Sequence, residues 1–283
     1  MNKFSAVIFG TLASSLFASN VFAEPYVGLS LGWTFNQKLS SVHGNENLAY
    51  PNPSGGVFDG DPTSGNLLFP GTTYTDVKLK DVLQGGLKAG YYFESAPSFG
   101  IELEGNYSQP NIFRQNVTLT NPNFVNNDTF GNLPLTQDGA YTTNGTHFTE
   151  DQQSAKVQLL QFSLNGLYRY QGFEKFTPYI GGGPSLNILR ITGTGVSGVI
   201  VDPLILPTSL TSDPSAASIH QTSVNVGVNF KVGAEYKFDQ EWGLAGEYHY
   251  NWSPIAVDNF RSVSNLKADY EAHTLNVVLM RHF

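Results

Sequence analysis

Glu247 and His249 stand two residues apart, so in an extended chain a carboxylate and an imidazole share one face. Such a pair can serve as a general base with its orienting acid, or as a plain ion pair. Nucleophilic catalysis would add a Ser within hydrogen-bond reach, and the next residue on that face is Asn251. Asp269, Glu271 and His273 form a second alternating set, with groups able to activate water for peptide hydrolysis. Asp59-Gly60-Asp61-Pro62-Thr63 begins like a calcium loop, but its glycine is misplaced and the distal Glu is absent, so it reads as a turn cluster. Asn116, Asn127 and Asn144 head Asn-x-Ser/Thr triplets and mark exposed loop. The chain has no cysteine, and it lacks a phosphate-binding loop, zinc spacing and a nucleophile elbow. No catalytic residue, cofactor or metal ion is predicted, and Glu247 with His249 is read as a salt-bridge or hydrogen-bond pair.

The elements that hold these residues begin after an export signal. Lys3, an apolar stretch from about Phe4 to Phe17 and the small-residue site Val21-Phe22-Ala23 predict a cleaved signal peptide over 1–23. Residues 24–283 then form one domain. That remainder has no apolar run of about 18 residues, so no membrane-crossing helix is expected. Charged residues are only 13% of the chain, low for a surface facing water. A net charge of -8 argues against a nucleic-acid partner, since nothing would neutralise phosphates.

Period-two alternation is clearest over Thr222 to Trp252. Val224, Val226, Val228, Phe230, Val232, Ala234, Tyr236 and Phe238 fill one face, and Asn225, Asn229, Lys231, Glu235 and Lys237 lie on the other. After the break at 239–241 the pattern resumes from Trp242, which predicts a hairpin. Further strands are predicted over Tyr26 to Phe35, Asp76 to Phe93, Phe99 to Tyr107, Leu160 to Tyr170, Phe176 to Ile191, and a last one carrying Leu275, Val277, Leu279 and Phe283. Val157 and Leu159 are out of phase with their strand, as are Ala268, Tyr270 and Ala272 with theirs. Bulges are therefore expected near Leu159-Leu160 and near His273. A bend or bulge is expected at Gly181-Gly182-Gly183-Pro184. Connections at 94–98, 171–175 and 239–241 are short; those at 36–75, 108–153, 192–221 and 253–266 are long and read as loop.

Short and long connections alternate around an even number of strands. This predicts an all-β fold: a closed antiparallel up-and-down transmembrane β-barrel of about eight strands, with short periplasmic turns and long extracellular loops. Tyr91, Phe93, Phe99, Tyr168, Tyr170, Phe176, Tyr236, Phe238, Trp242 and Phe283 fall beside the short turns or the C-terminus. Trp33, Phe35, Tyr107, Tyr250 and Trp252 fall beside the long loops. They are read as periplasmic-side and outer-side aromatic girdles. The polar faces then fill the lumen, placing Lys80, Lys88, Glu102, Glu104, Arg169, Lys231, Glu235, Lys237, Glu247 and His249 there. Buried charges must pair, so a lumen plugged by ion pairs is expected rather than a wide pore.

The signal, Pro25-Tyr26-Val27-Gly28, Phe176-Thr177-Pro178-Tyr179-Ile180-Gly181-Gly182-Gly183 and the terminal Phe283 resemble the eight-stranded outer-membrane barrels of the OmpA-like, OmpX-like and opacity-type, porin-family superfamily. The resemblance implies a place in the outer membrane of a Gram-negative cell, among outer-membrane lipid and lipopolysaccharide. It also implies that Phe283, in the C-terminal strand, is read by the barrel assembly machinery. Arg281 departs from the pattern, standing where such signals usually carry an aromatic. The peptidoglycan-binding domain of longer relatives is expected to be absent. The long loops, carrying Asp59, Asp61, Asp128, Asp138, Glu150 and Asp151, suggest a host or surface ligand and a role in adhesion or envelope integrity. A narrow channel for small solutes is the alternative. A lipid A hydrolase or outer-membrane protease is a further one, disfavoured because such a hydrolase needs a His–Ser pair facing lipid.

Overall fold

The computed structural model describes residues 23–49, 66–112, 115–121, 146–152, 155–194, 199–201, 211–212, 218–260 and 263–283. The predicted signal up to residue 22, the Asp59–Thr63 cluster, Asn127 and Asn144 lie outside the described residues. Eight long strands make a ring: β1 (Ala23–Ala49), β2 (Val82–Phe93), β3 (Ala96–Ser108), β4 (Ala155–Arg169), β5 (Phe176–Thr194), β6 (Ser218–Lys237), β7 (Trp242–Phe260) and β8 (Val263–His282). Each pairs antiparallel with the next. β1 closes the barrel by pairing with β2 (Ala23↔Phe93 to Thr34↔Val82) and with β8 (Tyr26↔His282 to Glu46↔Val263). Short turns gather at one end; the one after β6 is set by the Asp239 carboxylate, which accepts from the backbone N–H groups of Glu241 (2.8 Å) and Trp242 (2.7 Å).

In the lower two-thirds of the barrel the alternation predicted from sequence holds. Leu31 (62% exposed), Leu83 (60%), Val226 (65%) and Phe230 (60%) point outward and form a continuous apolar wall. Water would not tolerate such a wall, whereas hydrocarbon wets it at no cost.

Nearer the long connections the faces exchange polarity. Leu39, Val77, Leu79, Val157, Leu159, Leu189, Ile191, Ile255, Leu266 and Tyr270 turn inward, each 6% exposed or less. Lys78, Lys80, Lys156, Arg190 and Lys267 stand exposed on the outside. Above the membrane the barrel wall meets water, so it follows the rule of soluble sheets, apolar inside and polar outside. This corrects both predicted bulges. The β4–β5 register runs unbroken through Leu159↔Leu189 and Leu160↔Ile188, and β7–β8 runs unbroken from Trp242↔Arg281 to Phe260↔Val263. The apparent phase change in sequence is a change of solvent, not an inserted residue. Lys80 is corrected for a related reason. The ladder lapses at Lys80 and Asp81, between the short strand Val77–Lys78 and β2, and there the chain flips face. Leu79 is therefore inside, Leu83 outside, and Lys80 outside the lumen.

Register does slip on β1, and at the short-turn end of the β2–β3 ladder between Tyr92 and Phe93. The register of β1 against β8 slips between Phe35 and Lys38 and again between Ser40 and His43. Asn36 (φ 50) and Ser41 (φ 52) adopt the left-handed conformation at these two slips. At Gly183-Pro184 the β4–β5 ladder skips two residues without changing register, so the predicted irregularity is a gap rather than a bulge.

Within the segments predicted as long loops, most of the described residues are strand. β1 continues to Ala49, and β7 and β8 run through most of 253–266. Asn66–Tyr74, Gln115–Asn121, Thr146–Gln152 and Val199–Val201 pair successively to build an antiparallel side sheet on β1. Their Asn, Gly and Thr residues read locally as turn signals, but pairing between distant segments satisfies their backbone groups. The β6–β7 ladder ends at Val228↔Trp252, where Pro254 brings no N–H. Beyond it, side chains replace the ladder: Ser223 Oγ donates to the Ala256 carbonyl (2.6 Å) and the Ala256 N–H donates to Asn225 Oδ1 (3.4 Å).

Candidate functional site: the closed lumen

The lumen holds one cross-barrel cluster at mid-membrane. Lys88 Nζ on β2 reaches both Glu247 oxygens on β7 at 2.7 Å and Glu102 on β3 at 3.7 Å. Lys231 on β6 contacts Glu102, Glu104 (3.3 Å) and Glu247 (3.8 Å). Tyr26 donates to Glu102 (2.8 Å), Tyr179 donates to Glu247 (2.5 Å), and His249 Nε2 lies 2.9 Å from Glu247 Oε2. Asn165 Nδ2 faces Glu102 at 3.4 Å and Glu104 at 3.5 Å. Two lysines thus stand among three carboxylates whose remaining lone pairs are hydrogen-bonded, as low-dielectric burial requires. Inward glycines make the room: a Cβ on Gly28 would sit 2.8 Å from Lys88 Cγ, and one on Gly90 would sit 2.6 Å from the Tyr26 hydroxyl.

A second network closes the end with the short turns. Arg169 Nη2 lies 2.5 Å from Glu24, its Nε donates to the Pro97 carbonyl (2.7 Å), and its guanidinium lies 3.7 Å from the Tyr92 ring centroid. Lys237 also binds Glu24 (2.6 Å), and His282 bridges Glu235 (2.6 Å) and Glu24 (3.2 Å). Leu167, Ala245, Val278 and Met280 pack with Tyr26, Tyr92 and Tyr179 between the two networks.

Above the mid-membrane cluster comes a neutral polar layer. Thr34 meets Gln84 (3.2 Å) and Thr274 (3.1 Å), and Gln161 donates to Asn251 (2.5 Å). Over that sits the apolar upper interior, where Tyr270 donates to Gln37 (2.8 Å). Burial there pushes the Tyr270 phenol above its ordinary value, so it stays neutral.

Of the lumen residues predicted from sequence, Lys88, Glu102, Glu104, Lys231, Glu247 and His249 meet in the first network. Arg169, Glu235 and Lys237 join the second, and Lys80 joins neither. Glu24, Tyr26, Tyr92, Tyr179 and His282 were missed. Tyr26 and Tyr92 share the parity of Gly28 and Lys88, so their inward direction was readable from alternation. In the second acid–base set, Glu271 accepts from Ser40 Oγ (2.5 Å) and lies 3.4 Å from Lys38, while His273 Nδ1 meets the Tyr248 hydroxyl (2.6 Å). Ligand atoms of Glu104, Glu247 and His249 lie within 4.8 Å of one another, a spacing that suits a metal ion. The Lys88 and Lys231 ammonium groups already supply the positive charge there.

On the outside, the two predicted aromatic sets form rows at the two ends of the apolar wall. Tyr91 and Phe93 meet edge to face (5.1 Å), Phe99 tilts against Tyr168 (5.3 Å), and Tyr236 meets Phe238 (5.8 Å). Arg281 places its guanidinium 5.5 Å from the Trp242 ring centroid and 5.1 Å from that of Phe283, so it joins the lower row instead of breaking it. In the upper row, Phe35 and Tyr250 flank His273.

Comparison with the curated proteins finds no match by sequence. Among solved structures, the chain is similar to the outer membrane protein OprG from Pseudomonas aeruginosa (14% identity, 92% of this chain and 96% of that one, TM-score 0.42). It is also similar to the outer membrane protease OmpT from Escherichia coli (9% identity, 92% and 97%, TM-score 0.46). A third is Ail, the attachment invasion locus protein of Yersinia pestis (10% identity, 92% and 99%, TM-score 0.35). The model of the outer membrane protein beta-barrel domain matches residues 4–283, and the chain belongs to that family of bacterial outer-membrane proteins.

Proposed function

We propose that this protein is a non-conducting, non-catalytic barrel that acts through its extracellular face, in attachment or in keeping the envelope intact. The observation that carries this reading is the lumen. Ion pairs, tyrosines, amides and buried apolar residues follow one another along it, and the ion pairs and amides join non-adjacent strands. A solute route needs a continuous polar path and an enzyme an acid–base pair open to substrate, so a lumen layered in this way supports a barrel that acts from its outer face. The extracellular side sheet on β1 is more backbone than closure needs, and it offers the surface for a host or other partner. The aromatic rows mark the two water–lipid interfaces, and Phe283, on the outer wall at the end of the chain, serves recognition by the assembly machinery.

Recording from the purified protein in a planar bilayer tests the first half of this reading: silence is expected, and stable conductance steps would overturn it in favour of a narrow channel. Removing the side-sheet segments tests the second half. Reduced cell attachment or reduced detergent resistance is the expected result, and no change in either would count against it. Lipid A hydrolysis or peptide cleavage by the purified protein would instead establish an enzyme.

A further inference from the structure

The chain is acidic overall, yet five of its described cations, Lys38, Lys78, Lys80, Lys156 and Arg190, stand together on neighbouring strands. Lys88, Arg169, Lys231 and Lys237 are consumed inside the barrel. On the outside, an arc rises from β1 to β5 immediately above the apolar wall. Lys38 pairs in register with Lys78, the Lys80 N–H donates to the Asn111 carbonyl (2.8 Å), Asn111 pairs with Lys156, and Lys156 pairs with Thr192, two residues from Arg190. Asp76 and Glu271 are bound to Lys38 (3.2 and 3.4 Å), and Asp81 is exposed beside the arc. Among the described residues Lys80, Lys156 and Arg190 make no ion pair.

Depth identifies what these cations meet. Arg190 is two residues above outward-facing Ile188, and Lys80 is three above Leu83. At about 3.3 Å per residue both lie within roughly 10 Å of the hydrocarbon edge. The inward turn of Leu79, Leu159 and Leu189 at the same height marks that edge independently. This is the depth of lipid headgroups, where clustered Lys and Arg attract anions.

We propose that Lys78, Lys80, Lys156 and Arg190 form a binding arc for the phosphate groups of the outer-leaflet glycolipid, fixing one or more lipid molecules against the β1–β5 side of the barrel. Among the described residues the arc spans the β1–β5 side, so the bound lipid is held locally there.

The test uses the full folded protein in detergent, with lipid A and dephosphorylated lipid A as probes and native mass spectrometry as the readout. The wild type is expected to retain lipid A and to release the dephosphorylated form. The combined variant Lys78→Gln, Lys80→Gln, Lys156→Gln and Arg190→Gln should bind lipid A at least tenfold more weakly. Lys175→Gln, which removes an exposed cation at the short-turn end of the barrel, should bind as the wild type does. Heat-modifiable gel mobility checks folding, and if the combined variant does not fold, Lys80→Gln and Arg190→Gln alone should each weaken binding about fivefold. Undiminished lipid A retention by the variants overturns the proposal, as does equal retention of the dephosphorylated form.

Discussion

Lys80 and Lys231 are the same side chain with opposite circumstances, and the contrast measures what the lumen network does. Lys231 is buried among Glu102, Glu104 and Glu247, whereas Lys80 is exposed above the apolar wall. Removing one partner from a buried ion cluster leaves uncompensated carboxylates, at a cost of about 3–5 kcal/mol, much more than the net worth of the pair. Lys231→Met keeps the packing of the stem and deletes only the charge. It is expected to lower unfolding stability by that amount in urea titration of the folded barrel in lipid. Lys80→Met should change it by no more than about 0.5 kcal/mol. Equal effects would mean the lumen is hydrated enough to screen its charges. Residue by residue, sequence parity was enough to bring Lys88, Lys231, Glu102, Glu104, Glu247 and His249 together, because a strand wetted by lipid on one face leaves its polar residues no other place. It failed at Lys80, where the flip at Asp81 leaves no mark in residue type. It also missed Glu24 and His282 at the strand ends, although the alternation of β8 continues through His282 and Phe283.

At the scale of elements, the lower halves of the strands were legible and the upper halves were misread, for a single reason. Apolar residues at Val157, Leu159, Ala268, Tyr270 and Ala272 change face relative to the wall below because water replaces hydrocarbon outside. In sequence this is indistinguishable from an extra residue. The true extra residues, on β1, were hidden because Asn36 and Ser41 resemble the start of a loop. They tolerate the left-handed region better than branched residues do, so backbone conformation rather than side-chain contact decides substitutions there. Asn36→Val is expected to destabilise the barrel by about 1–2 kcal/mol, and Asn36→Gly should be neutral or slightly stabilising. Heat-modifiable gel mobility across a temperature series checks both. A valine variant as stable as the wild type would show that β1 can shed this bulge and slip its register on β8. The side sheet was beyond reach from sequence, since its order joins segments from three separate connections and depends on pairings that no local pattern encodes.

For the molecule as a whole, polarity inversion means that the lumen is closed twice by different physics. In the membrane, oppositely charged side chains span the barrel; above it, leucines, isoleucines and valines turn into the interior and are buried there. An ion can lose its hydration shell to a charged lining more readily than to an apolar one, and an apolar constriction excludes water as well. The closures therefore act in series, and opening one should leave the other sufficient. The lower set, Lys88→Ala with Glu247→Ala and Arg169→Ala with Glu24→Ala, removes two charges of each sign from the two charged networks. The upper set, Leu159→Ser with Leu189→Ser, replaces two inward neighbours on adjacent strands in the apolar region. In planar bilayers each set alone is expected to remain silent, and both together to give resolvable current steps. Current from the lower set alone would show that the apolar region is permeable, and current from the upper set alone would show that the charged networks are. Either result would reduce the two closures to one. The non-additive outcome is the signature of a barrel held shut by a membrane-type core and a water-type core stacked on the same eight strands.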